Sequence, residues 1–294
     1  MPSVISSLIK AQITLLNPLL NALTLETQRK LQDGLAALGS RVAGNKAGHH
    51  DFSLSHCDAS WVFPLNERVH KATLYLHGGA YCAGTLEYAR GFGSLLALET
   101  GRATLCLGYR LAPEDPFPAA LNDAVEAYEL MLTRYPAEEI ALAGESAGGG
   151  LCFALALRIK QLGLPMPERI VTLSPWVDLS QSLDACQTMG KDPILSCEGL
   201  MEAAGWYRDG HDPKDPLVSP LFGEFSGFPP CLIITGGDEI LRPESEEIHQ
   251  KLLDARVDAA LYIEEGMWHV YPLYPVPEAR HAQGLISDFL REAS

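Results

Sequence analysis

One pentapeptide restricts this chain more than any other stretch: Gly144-Glu145-Ser146-Ala147-Gly148. Ahead of it stands Ile140-Ala141-Leu142-Ala143, short and apolar enough for a buried strand. Behind it, Leu151 to Ile159 reads as a buried helix. A turn that passes directly from strand to helix leaves no room for a Cβ at its flanks, and the two glycines meet that demand. A serine at its apex projects from the C-terminal end of the strand. The helix N-terminus behind it favours negative charge.

The rest of the chain repeats the alternation. Strands are predicted from Ala59 to Leu65, Lys71 to Leu76, Ala103 to Gly108, Glu139 to Ala143, Arg169 to Leu173, Cys231 to Thr235 and Ala260 to Ile263. Helices are predicted over Leu86–Thr100, Ala119–Tyr135, Pro243–Leu253 and Pro277–Arg291. Short apolar strands alternating with helices mean an α/β fold, with a mostly parallel sheet covered on both faces. Gly44 to Asp51 reads as a loop.

Two segments stand outside this pattern. In residues 1–45, Val4, Ile5, Leu8, Ile9, Ile13, Leu16, Leu19, Leu20 and Leu23 recur at helical spacing, broken at Pro18. A second helix is predicted from Leu25 to Leu38, stopped by Gly39. Residues 181–215 carry no strand signal and one helix near Leu200 to Tyr207, so they read as an insertion. The N-terminal helices fit either simple packing on the core or a lid.

Composition narrows the partners. Lys plus Arg number 22 against 37 Asp plus Glu, a net charge of −15. That argues against nucleic acid or an anionic membrane surface as partner. No stretch approaches a membrane span, and the N-terminus lacks a basic region ahead of its apolar residues. The seven cysteines are scattered and form no Cys-x-x-Cys pair. They read as core thiols in a reducing compartment, not as disulfides or a metal site, and the protein as cytoplasmic.

A serine hydroxyl needs a base to become a nucleophile, and histidine titrates near neutrality. Hydrolases built on such a turn order their residues as serine, acid, histidine. His249 and His281 fall inside predicted helices, whereas His269 lies just past the last strand, at the sheet edge to which Ser146 points. The acid must follow strand 231–235, where Asp238 and Glu239 stand side by side. Their side chains cannot both face His269, and either type can serve. Backbone donors for the oxyanion are expected from Gly78 and Gly79 of His77-Gly78-Gly79-Ala80, and from Ala147 after the nucleophile.

At this point the chain resembles the bacterial hormone-sensitive-lipase-like carboxylesterases of the α/β-hydrolase fold. The resemblance rests on His77-Gly78-Gly79-Ala80-Tyr81, Tyr109-Arg110-Leu111-Ala112-Pro113-Glu114, the serine pentapeptide, Ser174-Pro175-Trp176-Val177-Asp178-Leu179 and Asp215-Pro216-Leu217-Val218-Ser219-Pro220. It runs from about residue 70 to the end. It implies one domain with a catalytic core of residues 46–180 and 216–294 and a cap from 1–45 and about 181–215. It implies short-chain esters as small-molecule substrates, no cofactor and no metal, and it allows for a homodimer. The family's acid-x-Leu register falls on Glu239-Ile240-Leu241, thirty residues before His269, and so favours Glu239 over Asp238. Ala80 departs from the third glycine that many relatives carry. Glu145 is expected to orient backbone beneath the serine, and Tyr109, Arg110 and Asp123 to hold the loop after their strand. Tyr81, Trp206 and Tyr207 are candidates for the substrate pocket. Two other readings fit the same fold: a small-molecule receptor, which the presence of His269 opposes, and a deacetylase or amidase.

Overall fold

The computed structural model describes residues 2–21, 23–30, 46–65, 69–182, 186 and 192–291. Eight strands form one sheet: β1 (Ala47–Ser53), β2 (Asp58–Pro64), β3 (Ala72–Leu76), β4 (Ala103–Gly108), β5 (Ile140–Glu145), β6 (Arg169–Leu173), β7 (Cys231–Gly236) and β8 (Ala259–Glu264). Their spatial order is β1-β2-β4-β3-β5-β6-β7-β8. β1–β2 and β2–β4 pair antiparallel; every later pair is parallel. The named helices are α1 (Val4–Asn21), α2 (Leu86–Thr100), α3 (Ala119–Leu132), α4 (Ala147–Leu162), α5 (Cys197–Arg208), α6 (Arg242–Asp254) and α7 (Pro277–Arg291).

The period-two alternation of each strand divides the core. Leu74 and Leu76 of β3 with Leu142 of β5 face the layer that holds α3 and α4. Tyr75, Ala141 and Ala143 face the opposite layer, where α2 and α7 pack. α4 is buried from Ala147 to Leu157, and its Leu and Phe side chains each contribute about 1.5–3 kcal/mol on leaving water. Because β3, β5, β6, β7 and β8 run parallel, the loops after them all open at one sheet edge.

Three expectations need correction. Most of the stretch read as a loop, Gly44 to Asp51, belongs to β1 (Ala47–Ser53), an edge strand whose Ala-Gly-His-His-Asp-Phe-Ser lacks apolar alternation. It has only β2 as a neighbour, so pairing and not burial defines it. α1 continues through Pro18 to Asn21: an interior proline removes one intrahelical hydrogen bond and crowds the carbonyl four residues before it, and here that does not end the helix. Cys186 and Cys197 form a disulfide with Cα atoms 5.7 Å apart, so not all seven cysteines are free thiols. Scatter along a sequence says nothing of distance in space. Of the helix predicted over 25–38, residues 25–30 are helical and 31–38 lie outside the described residues. No helix among the described residues is long and apolar enough to cross a membrane.

Candidate active site

Ser146 occupies the single position between β5 and α4, with φ 54° and ψ −123°. This left-handed backbone is held from both sides: the Ser146 amide donates to Leu173 O at 2.8 Å, and its carbonyl accepts from Trp176 N at 2.9 Å. A Cβ on Gly148 would stand 2.1 Å from Leu76 O, and one on Gly144 2.4 Å from Gly148 O. The tight turn therefore requires both glycines, as the sequence implied.

His269, in the loop after β8, brings Nε2 to 2.9 Å from Ser146 Oγ. Its Nδ1 lies 3.8 Å from Glu239 Oε2 and has no hydrogen-bond partner among the described residues. The Glu239 carboxyl is fully buried and accepts from Thr235 Oγ1 at 2.5 Å, Ser174 Oγ at 2.7 Å and Gly236 N at 3.2 Å. Ser174 Oγ in turn accepts from Val270 N at 3.0 Å, which ties the acid to the histidine loop. Asp238 takes a different course: its side chain is 46% exposed and pairs with Lys10 of α1. Burial pushes the Glu239 carboxyl up to about 8, against the pull of the Thr235, Ser174 and Gly236 donors. Burial also lowers the His269 imidazole to about 3, so its neutral form prevails.

The other side of Ser146 is built over Glu145. Its Oε1 accepts the Gly78 amide at 2.6 Å, and its Oε2 accepts the Tyr75 hydroxyl. Burial raises this carboxyl to about 7, and its hydrogen bonds oppose the shift. Gly78 therefore cannot aim its N–H at a substrate, which corrects its place among the expected oxyanion donors. The amides of Gly79, Ala80 and Ala147 have no acceptor among the described residues. Gly79 has φ 117°, and a Cβ there would stand 2.2 Å from Ala83 O. Ala80 and Tyr81 also have positive φ, 54° and 61°, so the loop turns sharply after the second glycine. Tyr109 Oη donates to His77 O at 2.6 Å, and Arg110 pairs with Asp123, bracing the adjoining loop.

A model of the α/β-hydrolase fold matches residues 73–273. An acetyl-hydrolase from Streptomyces hygroscopicus is 37% identical over 246 residues, 82% of each chain. An esterase from Acinetobacter venetianus is 34% identical over 73% of each chain. The crystal structure of an esterase from the bacterial hormone-sensitive-lipase family superposes with a TM-score of 0.86 at 34% identity, covering 96% of this chain and 97% of that one. The chain belongs to this family of α/β-hydrolase esterases.

In this family member the three pocket candidates separate. Tyr81 and Tyr207 are buried and stack on each other, with centroids 3.8 Å apart. Between rings so close no substrate group fits, so this pair packs the core. Trp206 is half-buried and keeps a solvent-facing part. Several contacts around the site join residues far apart in the sequence. Ser174 lay within a motif, but its contact with Glu239 spans 65 residues of sequence. The only prior signal was a polar residue at the end of a buried strand. Thr235 and Asp192 also carried no sequence signal of their contacts with the Glu239 loop.

Proposed function

We propose that the protein hydrolyses short-chain carboxylic esters through Ser146, His269 and Glu239, by way of an acyl-enzyme. The observation that carries this reading is the 2.9 Å contact of His269 Nε2 with Ser146 Oγ, with Nδ1 3.8 Å from the buried Glu239 carboxylate. Nε2 takes the hydroxyl proton as Oγ attacks the ester carbonyl. The Gly79, Ala80 and Ala147 amides hold the developing oxyanion. Nε2 then protonates the departing alcohol, and water releases the acid by the same route. Glu239 orients the imidazole through Nδ1–H and offsets the imidazolium charge. The acetyl-hydrolase among the relatives supports a small acyl group. The described parts of the two segments outside the strand–helix alternation, residues 2–21, 23–30 and 192–215, are assigned to a cap over this edge, with Trp206 as its candidate contact with substrate.

Ser146→Ala should abolish p-nitrophenyl butyrate hydrolysis and labelling by a fluorophosphonate, while the circular dichroism spectrum is unchanged. Retained turnover in the folded variant would sink the assignment.

A further inference from the structure

Glu239 stands between two residues that are each held by a segment outside the sheet. On one side, Asp238 pairs with Lys10 of α1, whose ammonium also donates to the Gly266 carbonyl at 3.1 Å. On the other side, the Ile240 amide donates to Asp192 Oδ2 at 3.1 Å. Asp192 divides its carboxylate between two tasks. Oδ1 accepts from Ile194 N at 2.7 Å and Leu195 N at 3.0 Å, closing the turn that leads into α5. Oδ2 reaches across the fold to the residue next to Glu239. The mechanism above has no use for Asp192, yet this half-buried carboxylate is placed against the acid's own backbone. Burial raises its carboxyl above the ordinary value, and the three amides oppose that shift. Such a group persists in a folded chain when its hydrogen bonds offset the desolvation.

We infer that Asp192 is a positioning residue for the reaction: by holding the Ile240 amide it fixes the backbone that carries Glu239, and so the approach of Glu239 to His269 Nδ1. This rests on the proposed triad. Side-chain donors from Thr235 and Ser174 set where the Glu239 carboxylate can point. They do not set where its Cα stands; ahead of Glu239 the backbone is held by the Gly237 and Asp238 amides, which donate to Glu264 O and Met267 O at 2.8 Å each, and just after it by the Ile240 amide on Asp192. A misplacement of about 1 Å behind a catalytic base is enough to lower a rate.

Asp192→Asn tests this directly. Its one remaining acceptor oxygen can still close the Ile194–Leu195 turn, but its NH2 group then faces the Ile240 N–H and the link is lost. Asp192→Ser closes the same turn with a hydroxyl too short to reach Ile240. Both variants should lower kcat for p-nitrophenyl butyrate about tenfold, the scale of one lost hydrogen bond to a charged group, with KM within about twofold. In a Glu239→Gln background, which is itself strongly impaired, neither should lower kcat further, because the residue they position no longer functions. An equal loss in both backgrounds, a wild-type kcat in both single variants, or a change confined to KM would each overturn the inference. Full kcat in Glu239→Gln alone would instead overturn the triad reading, and this inference with it.

Discussion

On one side of Ser146 the loops after β3 and β5 meet over Glu145; on the other, the loops after β7 and β8 meet over Glu239. Both carboxyls are buried, and burial raises both, to about 7 and about 8. Glu145 takes only donors that belong to the scaffold: the Gly78 amide, the Tyr75 hydroxyl and the Tyr88 side chain. It fixes the shape of the loop from which the Gly79 and Ala80 amides project. Glu239 takes scaffold donors as well, two of them on Oε2, yet that same oxygen lies 3.8 Å from the imidazole Nδ1. Depth of burial and direction of shift are thus alike in a carboxyl that shapes backbone and in the one proposed to serve the base. What separates them is that only the Glu239 carboxylate lies beside the imidazole.

The largest effect should come from breaking the base side. Glu239→Gln should lower kcat about 10³- to 10⁴-fold in p-nitrophenyl butyrate assays, the scale for neutralising the acid behind a catalytic histidine. Asp238→Asn removes only a part-exposed pair with Lys10 and should cost less than about fivefold. The reverse ranking would give the acid's role to Asp238.

A pH profile sharpens the contrast further. A carboxyl raised to about 8 is neutral below that pH and ionised above it. The imidazole, lowered to about 3, is already free to accept a proton throughout. The acid limb of kcat/KM should therefore rise through about pH 8, not at the ordinary histidine value. Glu239→Gln should flatten that limb, whereas Glu145→Gln should leave it in place, since Glu145 does not face the base. A limb that moves in Glu145→Gln would erase the distinction between the two glutamates.

The smallest effect should come from Ala80→Gly. Its positive φ suits glycine, and its N–H remains whichever residue carries it. The expected change in kcat/KM is within about threefold. A loss of a hundredfold would show that the alanine methyl itself shapes the oxyanion loop.

Much of the site was legible in the chain because its parts are local. Gly144 and Gly148 mark a turn that no Cβ can enter, and α4 and β5 declare themselves by apolar runs. His269 could be found because it follows the last strand of an ordered series. Where the outcome turned on which partner arrives from elsewhere, the sequence left it open. Gly78 and Ala80 are near neighbours in one motif, yet Glu145, from another strand, occupies the amide of the first. Cys186 and Cys197, 11 residues apart, give no sign in the sequence that they pair.

By itself, then, the sequence determined the order of the strands and helices from β2 onward, the serine at their tightest junction and the histidine that follows the last strand. Backbone conformation and apolar period are written into neighbouring residues, which is why these could be read. Only the tertiary structure shows which of Asp238 and Glu239 is buried beside His269. The two differ by one position, and a turn sends one to Lys10 and solvent and the other into the sheet edge against Ser174, Thr235 and His269. That choice depends on contacts spanning from four to 228 residues of chain, and adjacent carboxylates cannot encode it locally.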